Sequence, residues 1–416
     1  MRCFSGEGRA LSYKHKLDRG LYTLGVLSVY RLGSYIPVPG INIATLSTFF
    51  TQNSSVLGIF NSISGGSVSR MSIMSLNLMP YVSANIIMQL LTAVIPEWRE
   101  LKQDSFQRRK IQRYSRVLAL IISIVQSIGI VIGLENVPDL VINPGIVFKI
   151  TTVLSIVSGS ITVMWLSEQI SSLGIGSGSS VVIFTGIICS AIPAGIEVVS
   201  RYVTGGLSPT LFWPSVILVL AFTGLAIWFE GIIYKVRIFF KRSLILSTQR
   251  FTDLSTSYIP IKLNPAGVLP VMFADSMMVI PALGMRLLDS FLGIKGGTIA
   301  TILLLLMRTG LILFFCVFCL SFTMNPTDIS ENLTSRSACV PGVYEGAQTA
   351  NFFDALLNRV AVIGCVYMFL ISVIPELLQA LIAGFSLISG TSLLILTSIS
   401  LDTLYPRLAP DPKLEE

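Results

Sequence analysis

Apolar runs of about twenty residues recur from one end of the chain to the other, separated by short polar or basic stretches. The pattern predicts ten membrane-spanning helices near residues 20–37, 73–95, 117–134, 146–166 and 179–197, then 215–234, 266–288, 298–323, 357–375 and 385–401. Each is close to the roughly 20 residues needed to cross a hydrocarbon core. No polar block large enough for a separate soluble core interrupts them, so a single transmembrane domain is expected over 1–416. Within it the runs divide into a five-helix half at 1–197, a second at 215–405, and a tail at 406–416. The start, MRCFSGEGRALSYKHKLDRG, lacks a short apolar core ending in a small-residue cleavage site, and so does not read as a removable signal peptide.

One stretch breaks the pattern. Residues 58–90 read GIFNSISGGSVSRMSIMSLNLMPYVSANIIMQL, and the first third is dominated by Ser, Gly, Asn and Arg70. Lipid-facing backbone of that composition would leave polar groups unsatisfied, so this part must be shielded by protein or water. The later part is apolar, but Pro80 interrupts it and Asn77, Ser83, Asn85 and Gln89 ride within it. Two readings stand: a broken helix lining a cavity, or an external loop followed by a kinked helix.

The two halves share a weak internal similarity. Residues 78–88, LMPYVSANIIM, align with 268–278, VLPVMFADSMM, matching Pro80 to Pro270, Ala84 to Ala274, Asn85 to Asp275 and Met88 to Met278. Each copy is the second span of its half. Because five is odd, the copies would cross in opposite directions, the pattern of an inverted repeat with a site between halves.

Composition agrees with a membrane chain: 52% of residues are apolar and only 12% charged, and the mean hydropathy is +0.77. The net charge of +7 is concentrated in the leader, after the second span (including Arg108, Arg109 and Lys110) and after the sixth (including Lys241 and Arg242). If spans alternate, these clusters share one side, which the positive-inside rule makes cytoplasmic along with both termini. A nucleic-acid reading, with ribosomal RNA as the partner, would use the same residues, but membrane topology explains the clusters without it. The long segments 235–265 and 324–356 read as cytoplasmic docking surfaces or as solvated hairpins; the second is acidic, with Asp328, Glu331, Glu345 and Asp354 against Arg336.

Little in the chain suggests catalysis, a metal or a cofactor. His15 is the sole histidine, the six cysteines are scattered, and no phosphate-binding GxxxxGK[ST] occurs. The run GIGSG at 174–178 lacks the following lysine and reads as a turn between helices. Arg31, Asp275, Arg286 and Arg308 stand inside apolar runs, where a central charge costs about 2.5–3.5 kcal/mol and must face protein, water or headgroups. Lys149 and Glu168 lie near span ends, where they can snorkel. Asp275 is the one midplane carboxylate a proton-coupled carrier could use; otherwise it is a helix contact or a partner for one of the arginines.

Several stretches, in order along the chain, resemble the SecY family of bacterial protein-export channels: YTLGVLSVYRLGSYIPVPGI (22–41), ISGGSVSRMSIMSLNLMPYVSANIIMQLL (63–91), RRKIQRYSR (108–116), LVINPG (140–145), MWLSEQISSLGIGSGSS (164–180), IPIKLNPAGVLPVMFA (259–274), VPGVYEGAQTA (340–350) and SGTSLLI (389–395). The resemblance implies an all-α membrane protein with ten transmembrane helices in two inverted five-helix halves around an hourglass pore. It implies a passive channel in a bacterial cytoplasmic membrane, conducting unfolded secretory chains that carry signal sequences and releasing membrane segments sideways into lipid. It further implies SecE and SecG-type subunits as partners, with the SecA motor or the ribosome driving transport, and neither a cofactor nor a catalytic residue.

Motif by motif, the resemblance places an apolar pore ring at Leu78, Val82, Ser179, Ile183, Met272 and Ile395. It places a plug at Phe60, Asn61, Ser62, Ile63, Ser64, Gly65, Gly66, Ser67, Val68, Ser69 and Arg70. Gln89 falls in one lateral-gate helix, although ordinary packing is the default for the residue itself, and the helix from Ala266 would form the other side. Cytoplasmic docking would use Arg108, Arg109, Lys110, Lys241, Arg242 and Tyr344. Three positions depart from the family pattern. Ser179 replaces a bulky aliphatic residue, Tyr344 stands where the VPG-x-R loop carries arginine, and KRSLILSTQRF (241–251) lacks a dense basic run. Outside this family, a secondary transporter using Asp275 and a membrane insertase or enzyme are the alternatives; the absence of a histidine within the spans and the lack of paired acids argue against the last.

Overall fold

The computed structural model describes residues 5–42, 46, 66–95, 105–135, 140–205, 208–240, 257–265, 267–275, 277–278, 281, 297–323, 325–335, 338–344, 346–381 and 390–408. These residues fall into two compact units, one holding the described residues up to Gly205 together with Pro281, the other built from Ser208–Met278 and the described residues from Gly297 on. Among the described helices, six are long and apolar enough to cross a membrane: Lys110–Ile132, Ile146–Leu173, Gly178–Val203, Phe212–Glu230, Ile302–Leu320 and Ala347–Pro375. Their outward positions are apolar and exposed, among them Trp165, Ile196, Leu220, Leu306 and Val362, as lipid contact requires. The protein is a multi-pass membrane protein.

The first unit holds α1 (Ser5–Gly33), α2 (Met79–Val94), α3 (Ser105–Glu135), α4 (Ile146–Leu173) and α5 (Gly178–Val203). Pro80 does not interrupt a helix begun at residue 73. It sits in the first turn of α2, where its missing N–H costs no hydrogen bond. Residues 66–78 instead form successive turns, with Met71 and Asn77 at positive φ. Between α4 and α5 the GIGSG run is a tight turn, with Gly176 at φ +77°. The unit's core gathers Val38, Ile41, Leu46 and Met71 with Val131 of α3 and Phe148 and Ile156 of α4.

In the second unit, α6 (Pro209–Glu230) runs into strands β1 (Ile233–Phe240) and β2 (Ser257–Lys262). Helical residues 269–275, α7 (Gly297–Thr323), α8 (Pro326–Ser335), strand β3 (Ala338–Cys339), α9 (Ala347–Leu381) and α10 (Gly390–Leu408) follow. Helix 269–275 opens with Pro270 in its first turn, as α2 opens with Pro80, so the aligned prolines begin both helices. Its core joins Ala226 of α6, Val271 and Ala274, Ile312 and Cys316 of α7, Tyr367, Met368 and Ile371 of α9, and Leu394 of α10. Phe229 stacks on Tyr367, ring centroids 3.9 Å apart.

The expectation of an all-α chain needs correction. The two long polar segments fold onto each other as a three-stranded antiparallel sheet in the order β2-β1-β3, and the predicted sixth span ends at Glu230. The alternation in IYKVRIFF explains it: Val236 and Ile238 are buried with Ile261, Leu333, Val340 and Phe353, while Lys235 and Arg237 face outward.

Close approach of the turn segment to α4 depends on Gly159, where a Cβ would lie 2.1 Å from the Ile73 carbonyl oxygen. Gly159→Val is therefore expected to destabilise the protein by about 1–3 kcal/mol through forced separation of the two elements. Gly224→Ala, at an open position of α6, should leave stability unchanged or raise it by up to about 1 kcal/mol. Thermal unfolding of the purified protein in detergent checks both.

Candidate functional site

The proposed ring residues occupy the starts of two helices in the first unit. Leu78 is the residue before α2 and Val82 lies one turn on, its N–H donating to the Leu78 carbonyl at 2.9 Å. Ser179 and Ile183 are likewise one turn apart in the first half of α5, so each pair shares a helix face. Leu78, Val82 and Ile183 are buried and Ser179 is half-buried. In the second unit, Met272 of helix 269–275 and Ile395 of α10 are buried, next to Val271 and Leu394 of the unit's core.

Of the proposed plug, Gly66 to Arg70 are described, and Phe60, Asn61, Ser62, Ile63, Ser64 and Gly65 lie outside the described residues. Within the described part Gly66 and Ser67 are buried and Val68, Ser69 and Arg70 half-buried, and the turns that follow it are buried more deeply. Ser67 and Ser72 are fully buried, and Ser75 and Asn77 nearly so. Backbone bonds tie the following residues to the stretch after α1: Val38 N–H donates to Met71 O, and Ile73 N–H to Ile36 O, both at 2.9 Å. Ser72 N–H closes a turn on Ser67 O, and Ser69 Oγ donates to Gly66 O.

At the edge of this segment two cations share one aromatic ring. The Arg70 guanidinium lies 4.3 Å and that of Arg31 4.8 Å from the Tyr35 ring centroid. Arg31 Nη2 also donates to the Tyr35 hydroxyl at 3.1 Å. Sequence reasoning missed this cluster, although three polar side chains flanking buried glycine and serine residues were the available signal.

Other predicted positions are dispersed. Gln89 is exposed on α2, Lys110 is exposed on α3, and Tyr344 is 80% exposed in the turn before α9. Arg108 and Arg109 lie on α3 with side chains outside the described residues, as are Lys241 and Arg242 altogether. Lys149 and Glu168, near span ends, form partly exposed ion pairs: Lys149 Nζ with Glu135 at 2.9 Å and Arg116 Nε with Glu168 at 2.7 Å. Asp275 and Arg308, 2% and 5% exposed, pair inside the second unit, with Arg308 Nε donating to Asp275 Oδ1 at 2.9 Å. Among the described residues no group of three or more His, Cys, Asp or Glu could hold a metal ion.

Helices with these irregular, buried insertions define a fold shared with solved membrane channels. The structure of a protein-conducting channel superposes with a TM-score of 0.65 at 17% identity, covering 95% of each chain. Sec61 from the canine ribosome-channel complex of the endoplasmic reticulum gives 0.63 at 16%, again over 95% of each. In sequence, the protein translocase subunit SecY of Escherichia coli K12 is 37% identical over 96% of this chain and 91% of its own length. The corresponding subunit of Rickettsia bellii is 35% identical over 93% and 92%, and that of Helicobacter pylori J99 is 32% identical over 92% and 93%. The SecY family profile matches residues 72–404, and the chain belongs to that family, one of translocase subunits rather than enzymes.

If Tyr35 holds the turn segment through its two cations, Tyr35→Ala should cost about 0.5–1 kcal/mol locally. Hydrogen exchange at the Ser72 and Ile73 amides should then quicken roughly two- to fivefold. Unchanged protection would assign the hold to backbone bonds alone.

Proposed function

We propose that this protein is the central channel of a bacterial Sec translocase, conducting unfolded secretory chains passively across the cytoplasmic membrane and releasing membrane segments sideways into lipid. The observation that carries this reading is the family match over residues 72–404, extended by 37% identity to a translocase subunit along nearly the whole chain. Ten transmembrane helices form two inverted five-helix halves around an hourglass pore, with both termini in the cytoplasm. The pore closes on the ring of Leu78, Val82, Ser179, Ile183, Met272 and Ile395 and on the plug from Phe60 to Arg70. Apolar side chains disfavour water and ions when shut, yet offer a sliding polypeptide no fixed hydrogen bonds. Gln89 belongs to the lateral gate.

SecE and SecG-type subunits complete the channel, and SecA or the ribosome supplies the drive. A ribosome-bound relative of the same fold supports the second source. Arg108, Arg109, Lys110, Lys241, Arg242 and Tyr344 form the cytoplasmic docking surface; the exposure of Tyr344 suits contact with a partner. The proton-coupled carrier is disfavoured because its one candidate carboxylate, Asp275, is engaged by Arg308.

Ile183→Asn or Ile395→Asn should raise ion leak through the reconstituted resting channel several-fold and admit cargo with defective signal sequences, while Ser179→Ile should lower the leak. Unchanged conductance in all three would remove the ring. A stalled secretory chain should crosslink to cysteines placed at 78, 183 and 395, and failure at all three positions would refute the channel path.

A further inference from the structure

Helical residues 269–275, which carry Met272, are held by buried polar contacts to neighbouring helices of their own unit, one just before residue 269 and one at residue 275. Before their first turn, Asn264, 2% exposed, donates through Nδ2 to Glu230 Oε1 at 2.9 Å and to the Gly267 carbonyl at 3.2 Å. Glu230 is the last residue of α6 and is itself buried. At residue 275, Asp275 Oδ1 accepts from Arg308 Nε at 2.9 Å and lies 2.8 Å from Arg308 Nη2, with both side chains almost wholly buried. Arg308 stands within the apolar span of α7. Between these two ties, Val271 and Ala274 pack into the unit's core.

A buried ion pair adds little net stability over an apolar contact of the same shape, but it tolerates far less displacement, because breaking it strands a charge in a low-dielectric interior. Asp275 follows Met272 by three positions, so the two lie on the same side of the helix about one turn apart and any shift of the first moves the second. The matching position in the first unit, Asn85, carries no charge. We infer that the Asp275–Arg308 pair, together with the Asn264–Glu230 hydrogen bond, positions the Met272 helix against α6 and α7 and so sets where Met272 sits in the closed pore. Asp275 and Arg308 are positioning residues, acting through Met272. This rests on the reading of Met272 as a ring member.

The test uses the complete translocase reconstituted in vesicles, read by resting ion leak and by labelling of a Met272→Cys side chain with a membrane-impermeant maleimide, quantified by mass spectrometry at that peptide. Asp275→Asn and Arg308→Leu should each raise the leak about three- to tenfold and change labelling at 272 by a similar factor. A Leu394→Cys reporter in the unit's core should keep its labelling rate. The neutral pair Asp275→Asn with Arg308→Gln, which can hydrogen-bond without stranding a charge, should return both readouts to within about twofold of the starting protein. Asp275→Glu keeps the charge while displacing the contact by one methylene; it should shift labelling at 272 even where the other single variants accumulate poorly. Unchanged leak and labelling in Asp275→Glu overturns the inference, as does equal loosening at 272 and 394. If Ile183→Asn leaks while the Asp275 and Arg308 variants stay tight, the inference fails and the ring stands. If none of them leaks, the ring fails and takes the inference with it.

Discussion

Backbone polar groups that reach membrane depth must find their partners inside the protein, and the first unit is arranged around that requirement. Residues 66–78 abandon the helix, which would have satisfied their N–H and C=O groups automatically, and replace it with turn bonds and with exchanges to the stretch after α1. The Pro37–Ser72 and Ile41–Val141 bridges extend the same solution to the loop before α4. Gly159 lets the segment come close enough for this to work, and Ser160 Oγ reaches the Asn77 carbonyl at 3.5 Å. Small hydroxyl-bearing side chains suit such a site because they bury little volume; elsewhere in the unit they bond the preceding helical turn, as Ser127 does to Ser123 O.

In the second unit the demand is electrostatic as much as it is geometric. Two carboxylates, Glu230 and Asp275, lie almost wholly out of solvent, and each is met by a side chain from a different element of the unit. Their partners come from 34 and 33 residues away, so the contacts form only once the helices have packed. The polar loops outside the apolar helices follow ordinary aqueous rules, burying one face of β1 against Phe353 and leaving the basic face free. Hydrophobic burial acts there as in a soluble protein, whereas among the spans it competes with lipid tails that are equally apolar.

The proposed pore elements inherit their form from these constraints. Leu78 and Val82 are presented together because the helix begins at Met79 with proline in its first turn, and the second unit repeats the device at Pro270. A helix start is a natural place to change from irregular, protein-shielded backbone to a rigid wall.

Much of this was legible in the residues alone. Apolar run length sets which segments can cross a bilayer, the excess of lysine and arginine on alternate loops gives the expected orientation, and the ordered motifs from 22 to 395 identify the family. The need to shield 58–70 also followed from composition, since serine, glycine and asparagine cannot face lipid with their backbone open. Other features were beyond local pattern. That Pro80 starts a helix rather than bending one depends on the turn bonds upstream of it. That two loops nearly a hundred residues apart share a sheet depends on the Phe239–Cys339 pairing. Of the arginines at 31, 286 and 308, only packing could select the last as the partner of Asp275, because charge in a sequence fixes the need for a counter-ion but not its address.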